Sequence, residues 1–273
     1  MQTSHDGALK DAVRAFWETA SCGEVYLAGS APREQFETHT VARYALEPYI
    51  RAFAGFDGGA KDILEVGVGM GADHAEWAKS GPRTLVGIDV TPRAVAWTAQ
   101  RLVCGGHDPH LMVADAEGMP FRDASFDLVY SWGVLHHTPN TQRCFDEVLR
   151  VLRPGGEALI MIYHRPSLVG YMLWARYGLA SGHPRRSLAD VYAHHLESPG
   201  TKGYTVDEGR ALASEFSSAT VRSQLGFGDL LQGEVGQQHR GRLLRVATRF
   251  WPRVLIKRAL PNHGLMLLIR AVK

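Results

Sequence analysis

A short apolar run that ends in alternate glycines constrains the fold of this chain more than any other feature. The run Ile63–Val66 is followed by Gly67, Gly69 and Gly71, and Glu65 lies just before the first glycine. Glycine adopts backbone conformations with positive φ and has no Cβ that would hold a ligand away. We therefore expect a buried strand to turn sharply into a helix here, at the kind of sheet edge where open α/β folds bind nucleotides.

Around this turn, short apolar strands alternate with helices. The patterns predict five strands at 62–66, 84–89, 110–114, 126–131 and 158–163. Thr91-Pro92 is expected to open one helix and Thr138-Pro139 another, because threonine caps a helix and proline fits its first position. Pro154-Gly155-Gly156 is expected to stop the second of these helices. Such alternation implies a parallel sheet covered on both faces.

Two further strands are predicted over 220–225 and 265–272, with the last strand antiparallel to the sixth. The sequence thus predicts an α/β fold with a Rossmann-like, seven-stranded, mostly parallel sheet, helices on both faces and an antiparallel last strand. We divide the chain into a helical N-terminal cap (1–60), a Rossmann-like core (61–165), a helical aromatic insertion or lid (166–215) and a C-terminal part of the sheet with a basic helix (216–273). The lid contains aromatic residues that can line a pocket: Tyr171, Trp174, Tyr177, Tyr192 and Tyr204.

The composition is that of a globular protein with a hydrophobic core. Of the 273 residues, 45% are hydrophobic and 21% are charged, and the formal net charge is +2. No apolar stretch reaches the roughly 20 residues that a membrane span requires, and we see no signal-peptide core. The three cysteines lie far apart, which is typical of inert thiols in a reducing compartment. We therefore expect a cytoplasmic protein.

A basic stripe near the C-terminus leaves three interpretations open. Arg242, Arg245, Arg249, Arg253 and Lys257 recur at helical spacing, and Pro252 is expected to kink or split the helix 242–259. The stripe can bind nucleic-acid phosphates, lie on a membrane surface, or form a solvated helix face. Because the net charge is nearly balanced, a small-molecule partner is favoured over nucleic acid.

Acidic residues come at the ends of the first three predicted strands. Glu65 ends the first, Asp89 the second and Asp115 the third. A carboxylate in the position of Asp89 can accept both hydroxyls of a ribose, and Asp115 can accept a hydrogen bond from an exocyclic amine such as that of adenine. The segment Ser131–His137 follows the fourth strand at the same edge of the sheet.

At these residues the chain resembles the class I S-adenosylmethionine-dependent methyltransferases, and within them the small-molecule branch that includes quinone-biosynthesis methyltransferases. The resemblance runs from about residue 60 to residue 165. It rests on LEVGVGMG at 64–71, GID at 87–89, ADAEGMPF at 114–121, FDLVY at 126–130, VLHHTPN at 134–140 and LRPGG at 152–156. These phrases together are specific for the class, whereas none of them identifies the substrate.

The resemblance implies S-adenosylmethionine as cofactor and a set of binding residues. The backbone of Gly67, Val68, Gly69 and Gly71 approaches the cofactor, and Glu65 orients its ammonium group. Asp89 holds the ribose, with Val90 beside the adenine. Asp115 meets the adenine amine, and Ala116 contributes its backbone N–H. Ser131 and Trp132 line the methionyl end near the sulfonium.

Candidate bases follow the fourth and fifth strands. They are His136, His137, Tyr163 and His164, and histidine is the side chain whose ordinary pKa suits proton transfer near neutrality. Methyl transfer depends mainly on alignment, so a base is required only when the acceptor loses a proton. For the His136-His137 pair, a structural role that anchors the loop is the alternative.

The resemblance implies methyl transfer to a small, aromatic or polyfunctional metabolite, with oxygen slightly favoured over nitrogen or carbon. Four alternatives stay open. They are an RNA-directed or lipid-directed methyltransferase that uses the basic helix, a nicotinamide-dependent oxidoreductase, a metal enzyme and a non-catalytic S-adenosylmethionine-binding protein. The glycine spacing counts against a dinucleotide fingerprint, which reads G-x-G-x-x-G, and the 13 histidines show no H-E-x-x-H spacing, so no metal site is expected.

Overall fold

The sheet of this protein has seven strands in the part of the chain that the structure describes. The computed structural model describes residues 2–232 and 251–273, with side chains from residue 6 onward. The strands are β1 (Asp62–Val66), β2 (Thr84–Asp89), β3 (Leu111–Val113), β4 (Phe126–Trp132), β5 (Leu152–Tyr163), β6 (Ser218–Gln224) and β7 (Met266–Val272). Their order across the sheet is β3-β2-β1-β4-β5-β7-β6.

The strand directions confirm the predicted Rossmann-like architecture. Each neighbouring pair from β3 to β5 is parallel, whereas β7 runs antiparallel to both β5 and β6. The strand order reverses beside β1, which pairs with β2 on one side and β4 on the other. Such a reversal opens a crevice outside the carboxyl ends of the strands, where ligands bind in open α/β sheets.

Helices precede the first strand and connect most of the later ones. They are α1 (Gln2–Thr19), α2 (Pro32–Leu46), α3 (Tyr49–Ala54), α4 (Ala72–Lys79), α5 (Pro92–Gly105), α6 (Thr141–Val151), α7 (Leu168–Trp174), α8 (Leu188–His195), α9 (Val206–Leu212) and α10 (Arg253–Ala259). A 3₁₀ turn spans Leu135–His137. None of the described helices is long and apolar enough to cross a membrane.

The core lies on both faces of the sheet. Successive strand residues point to opposite faces, so Val129 and Ile160 pack with α6 and α9, while Tyr130 and Leu159 pack with α3, α4, α7 and α8. Helix α3 of the cap and helices α7 and α8 of the lid are therefore part of the core on the Tyr130 face, whereas α9 of the lid packs on the other face.

Local sequence signals explain where several elements begin. The Thr91 side chain accepts a hydrogen bond from the Ala94 N–H, and Pro92 is the first residue of α5. Thr205 and Glu208 form a reciprocal capping box at the start of α9. The predicted cap at Thr91 is therefore confirmed.

The second proline cap was predicted wrongly. The Asn140 side chain, rather than Thr138, accepts the N–H of Arg143, and α6 begins at Thr141. The Thr138 hydroxyl donates instead to the Leu135 carbonyl, which closes the 3₁₀ turn before the helix. The 3₁₀ turn therefore already uses the hydroxyl that was predicted to cap α6.

The fifth strand is longer than predicted. It starts at Leu152 and runs through Pro154-Gly155-Gly156, which the sequence suggested as a helix stop. Gly155 has φ +77, and its N–H donates to the carbonyl of the C-terminal Lys273. A partner from the far end of the chain thus keeps these residues in the sheet.

The predicted basic helix is only partly within the described residues. Arg242, Arg245 and Arg249 lie outside them. Arg253 and Lys257 lie on α10, which begins immediately after Pro252. The Arg253 guanidinium donates to the carbonyls of Leu230 and Leu231 at 2.9 and 3.1 Å, so this member of the stripe binds the protein's own backbone.

Candidate active site at the carboxyl edge of the sheet

A cavity of about 280 Å³ opens at the carboxyl ends of β1, β2 and β4. The structure brings most of the sequence-predicted site residues to its wall: Glu65, Gly67, Val68, Gly69, Gly71, Asp89, Val90, Asp115, Ala116, Trp132, His137 and Tyr163. Ser131, His136 and His164 are not among the lining residues. The cavity therefore gathers the strand-end acids and the glycine turn into one site.

The glycine turn is required by both conformation and packing. All three glycines have positive φ, with values of +82 at Gly67, +51 at Gly69 and +70 at Gly71. A Cβ on Gly67 would lie 2.1 Å from Val134, and one on Gly71 would lie 2.7 Å from the Thr98 hydroxyl. A Cβ on Gly69 would meet no described atom within 4 Å. The two outer glycines thus pack the turn closely, and the middle one leaves its backbone open.

Glu65 is buried at the base of the cavity and bonds to a histidine of α4. Its carboxyl group lies 2.9 Å from His74 Nδ1. Burial raises the pKa of Glu65 well above its usual range, and the nearby Asp73 acts in the same direction. Burial also lowers the pKa of His74 to about 3. Burial thus disfavours the ionised form of Glu65, whereas a bound cation would favour it.

Asp89 holds the glycine turn and the start of α5 together. Its carboxylate accepts hydrogen bonds from the Gly69 N–H at 3.1 Å and from the N–H and hydroxyl of Thr91 at 2.9 and 2.8 Å. Burial raises the pKa of Asp89, and these hydrogen bonds oppose that rise. The carboxylate is thus fixed in orientation at the end of β2.

Asp115 binds a lysine of the N-terminal cap. Lys10 on α1 lies 2.6 Å from Asp115 and 2.7 Å from Glu117. Burial lowers the pKa of Lys10, but the hydrogen bonds to these two carboxylates outweigh it and leave the pKa raised. Val13 and Trp17 of the same helix also line the cavity. Helix α1 therefore covers the part of the site assigned to the adenine.

Three of the predicted site residues do not line the cavity and lie behind its wall. Ser131 is fully buried, and its hydroxyl donates to the Val66 carbonyl at 3.0 Å. His136 is also fully buried, and its ring lies 4.0 Å from that of Tyr163. His164 Nδ1 bonds to the Gly264 carbonyl at 3.0 Å. Each of these side chains is directed into the protein, which differs from the expectation for Ser131 and His164. For His136 it agrees with the structural role given as the alternative.

A buried ion pair joins the cap to α4 beside the cavity. Arg43 donates twice to Asp73, at 2.8 and 2.5 Å, and the hydroxyls of Tyr44 and Tyr130 donate to the same carboxylate. Burial raises the pKa of Asp73, but Arg43 outweighs it and holds the pKa below the usual range. Sequence reasoning missed both charged residues; the acid in the first turn after the glycines was the available signal for Asp73.

The cavity continues into an apolar chamber under the lid. Its walls come from β5, β7, the lid and the segment before the undescribed residues: Met161, Val169, Leu196, Phe227, Leu265 and Met266. Glu197 also lines it, and the Tyr163 hydroxyl donates to Glu197 at 2.8 Å. Sequence reasoning missed Glu197, since a single acid in a loop carries no periodic signal.

The chemistry of the site fits S-adenosylmethionine better than a metal. Acidic groups at three successive strand ends can attract the ammonium and sulfonium cations and accept from ribose and adenine. The open backbone at Gly69 gives the ligand close access. In the described part of the chain, no group of histidine, cysteine and acidic residues is arranged to hold a metal ion.

Comparisons with known proteins agree with this geometry. Residues 64–160 match the family described as "Methyltransferase domain". Phosphoethanolamine N-methyltransferase 2 of Caenorhabditis elegans is 31% identical over 119 residues, which are 42% of this chain and 26% of that protein. A probable phthiotriol/phenolphthiotriol dimycocerosates methyltransferase 2 of Mycobacterium ulcerans is 35% identical over 109 residues, which are 40% of this chain and 42% of that protein.

A solved structure extends the likeness to the fold. It is Haemonchus contortus phosphoethanolamine N-methyltransferase 2 in complex with phosphomonomethylethanolamine and S-adenosylhomocysteine. The TM-score is 0.57 at 18% identity, over 90% of this chain and 60% of the other. This chain thus spans less than half the length of the two curated relatives above. Residues 64–160 therefore match a methyltransferase domain, and they lie within a Rossmann-like sheet.

Proposed function

We propose that this protein transfers a methyl group from S-adenosylmethionine to a small-molecule metabolite. One observation carries the proposal: the glycine turn and the acids Glu65, Asp89 and Asp115 line one cavity that continues into an apolar chamber. The first part has the chemistry of a cofactor site, and the second has the chemistry of a site for a largely apolar acceptor.

Each residue of the cofactor part has a proposed task. Glu65 binds the ammonium group, directly or through water, and Asp89 binds the ribose hydroxyls. Asp115 accepts from the adenine amine, with the Ala116 backbone N–H and Val90 beside the ring. Trp132 lines the methionyl end. Ser131 supports the turn through its bond to the Val66 carbonyl rather than by contact with the cofactor.

S-adenosylmethionine, when bound, supplies a methyl group on a positively charged sulfur. The protein then has to align the acceptor and exclude water, which can contribute about 7–11 kcal/mol of the barrier. Helix α1 covers the cavity through Lys10 and Trp17, and the lid covers the chamber. These two elements are the proposed means of excluding water.

The acceptor is proposed as a small molecule, with oxygen favoured over nitrogen or carbon. The relatives' names include an N-methyltransferase and a methyltransferase of phthiotriol dimycocerosates, so the comparisons leave the acceptor atom open. A nucleic-acid acceptor is less well supported, because Arg253 of the basic stripe binds the backbone of Leu230 and Leu231. We also propose the four-part division of the chain. A cytoplasmic location is proposed because the three cysteines are free thiols, which are typical of a reducing compartment.

Equilibrium binding tests the proposal. Calorimetry should show that S-adenosylmethionine and S-adenosylhomocysteine bind with one site per chain, whereas NAD should not bind. Incubation with S-adenosylmethionine and a fractionated metabolite extract should then release S-adenosylhomocysteine. Binding of NAD alone would support the oxidoreductase, and cofactor binding without turnover in any fraction would support a non-catalytic binding protein.

A further inference from the structure

The chamber contains a cluster of three polar side chains, and Glu47 and Asp229 also line the cavity. Glu197, from the loop after α8, receives a hydrogen bond from the Tyr163 hydroxyl at 2.8 Å. The same carboxylate oxygen lies 3.5 Å from His137 Nε2. All three residues line the cavity. The lid thus brings an acid onto a tyrosine and a histidine that the sheet positions.

His137 of this cluster is held in place by two hydroxyl groups at its Nδ1 atom. Ser198 Oγ lies 2.8 Å from His137 Nδ1, and Thr201 Oγ1 lies 3.1 Å from it. Thr201 Oγ1 donates to the Ser198 carbonyl, so Ser198 Oγ is the hydroxyl that can donate to Nδ1. With that donor, the ring proton is on Nε2, which faces Glu197. His137 is 4% exposed, and among the described residues its Nε2 has no partner at hydrogen-bond distance. A buried donor directed into a cavity in this way is suited to a ligand.

The geometry matches a hydroxyl group. A hydroxyl oxygen both donates and accepts, so it can donate to the Glu197 carboxylate and accept from His137 Nε2–H. A protonated amine has no lone pair for the histidine. The remaining chamber walls near the cluster, such as Met161, Val169 and Leu196, are apolar and suit an uncharged body.

We infer that the acceptor is an apolar molecule with a hydroxyl group, such as a phenol or an alcohol, and that Glu197 binds this hydroxyl and removes its proton. The inference rests on the proposed function. The acceptor oxygen forms a bond to the methyl carbon, the carbon–sulfur bond breaks with its electron pair on sulfur, and the hydroxyl proton passes to Glu197. His137 donates to the acceptor oxygen, and Tyr163 positions the carboxylate.

Of the candidate bases, Glu197 has the pKa that suits this step. Burial raises the pKa of Glu197 to about 7, and the nearby Glu47 adds to the rise while the Tyr163 hydrogen bond opposes it. Burial lowers the pKa of His137 to about 3 and raises that of Tyr163 well above 10. A general base is most effective when its pKa lies near the working pH.

The test uses the protein saturated with S-adenosylhomocysteine and two probes that differ in one hydrogen-bond donor. The probes are 4-butylphenol and its methyl ether 4-butylanisole, and their affinities are measured by calorimetry. We expect the phenol to bind at least about tenfold more tightly than the ether, because a hydrogen bond to a charged group is worth about 1.5–3 kcal/mol. In Glu197→Gln this preference should fall to about twofold, and Tyr163→Phe should weaken it less.

The control is Asp207→Asn, which removes an exposed carboxylate on α9 and should keep the full preference. Equal affinities of the two probes for the unmodified protein would overturn the inference, and so would an unchanged preference in Glu197→Gln. Tighter binding of 4-butylaniline than of the phenol would overturn it as well. A protein that does not bind S-adenosylhomocysteine would instead contradict the proposed function itself.

Discussion

Single carboxylates in this protein have different environments, and their positions explain the difference. Asp89 is held by three hydrogen bonds from Gly69 and Thr91, so it is preorganised for a ligand. Glu65 shares a buried contact with neutral His74. Glu197 lies in an apolar chamber with one tyrosine donor at 2.8 Å. The same chemical group thus has three different environments in one cavity, and we propose a different task for each: ribose binding, cation binding and proton removal.

Replacement of Asp89 tests the ribose assignment. We expect Asp89→Ala to weaken S-adenosylhomocysteine binding by about tenfold or more, since hydrogen bonds to a charged group contribute about 1.5–3 kcal/mol. Calorimetry measures the affinity, and circular dichroism checks the fold. Asp108→Ala removes an exposed acid before β3 and should bind normally. Equal affinities of the two variants would remove Asp89 from the cofactor site.

The raised pKa of Glu197 also predicts how stability depends on pH. The folded protein holds this proton up to about pH 7, whereas the unfolded chain releases it near 4.5. Glu197 is thus most favourable to folding below pH 4.5, and its contribution is lost as the pH rises through 7. Between pH 5 and 8, the melting temperature of Glu197→Gln should therefore rise relative to that of the unmodified protein. If scanning calorimetry shows that the melting temperatures of the two proteins change with pH in parallel, the pKa of Glu197 is not raised in the folded state.

Among the helices, α1 covers the part of the cavity that is assigned to the cofactor. Its contact with the strand ends includes the ion pairs of Lys10 with Asp115 and Glu117. The ring centroids of Trp17 and His137 lie 5.3 Å apart in an edge-to-face arrangement. Lys10 donates to Asp115, which is also the proposed partner of the adenine amine. Closure of α1 and cofactor binding are therefore expected to be coupled.

Loss of the ion pairs of Lys10 with Asp115 and Glu117 should loosen α1 without unfolding the core. Because the ion pairs are partly exposed, each contributes roughly 0.2–1 kcal/mol. Lys10→Met should therefore speed amide hydrogen exchange in α1 and S-adenosylhomocysteine dissociation by a few-fold, while exchange in β1 stays unchanged. Lys79→Met, which removes an exposed lysine at the end of α4, is the matched control. Unchanged exchange in α1 would show that Lys10 does not hold the helix.

The lid elements belong to the same cooperative structure as the sheet. Tyr192 of α8 is fully buried, and its hydroxyl bonds to Ser167 Oγ at 2.7 Å and to the His164 carbonyl at 2.9 Å. Val191 is also fully buried. Lid aromatics were predicted to line the pocket, but Tyr192 is a core residue that ties the lid to β5. The acid that the lid contributes, Glu197, follows one turn later.

For the whole molecule, cofactor binding should appear as stabilisation against heat. A ligand that binds only the folded state at 100 times its dissociation constant adds about 2.7 kcal/mol. For a chain of this size, that raises the melting temperature by about 5 °C or more. Scanning calorimetry should show the shift with S-adenosylhomocysteine and none with NAD. The reverse pattern would contradict the proposed cofactor.

Sequence periodicity was sufficient for the parts of the fold that are local in the chain. The bounds of β1 and β2 agree with their predicted ranges, and a helix follows the glycine turn as expected, because alternation, glycine placement and the Thr91 cap act within a few residues. The strand-end acids could be assigned to one edge since the carboxyl ends of parallel strands meet there. Thr138 was misread because a second local signal, the 3₁₀ turn that bonds to Leu135, uses its hydroxyl. The start of β5 was misread because a distant partner, Lys273, holds Gly155 in the sheet.

The sequence by itself determined the class of sheet, the glycine turn and the strand-end acids that make a cofactor site. Only the tertiary structure decided which side chains meet across long separations in the chain. Lys10 reaches Asp115 over 105 residues, and the lid brings Glu197 to Tyr163 and His137. Such contacts depend on how helices and loops pack over the sheet. Periodicity describes which face of an element is buried, whereas the neighbour that covers this face is set by the packing of the whole chain.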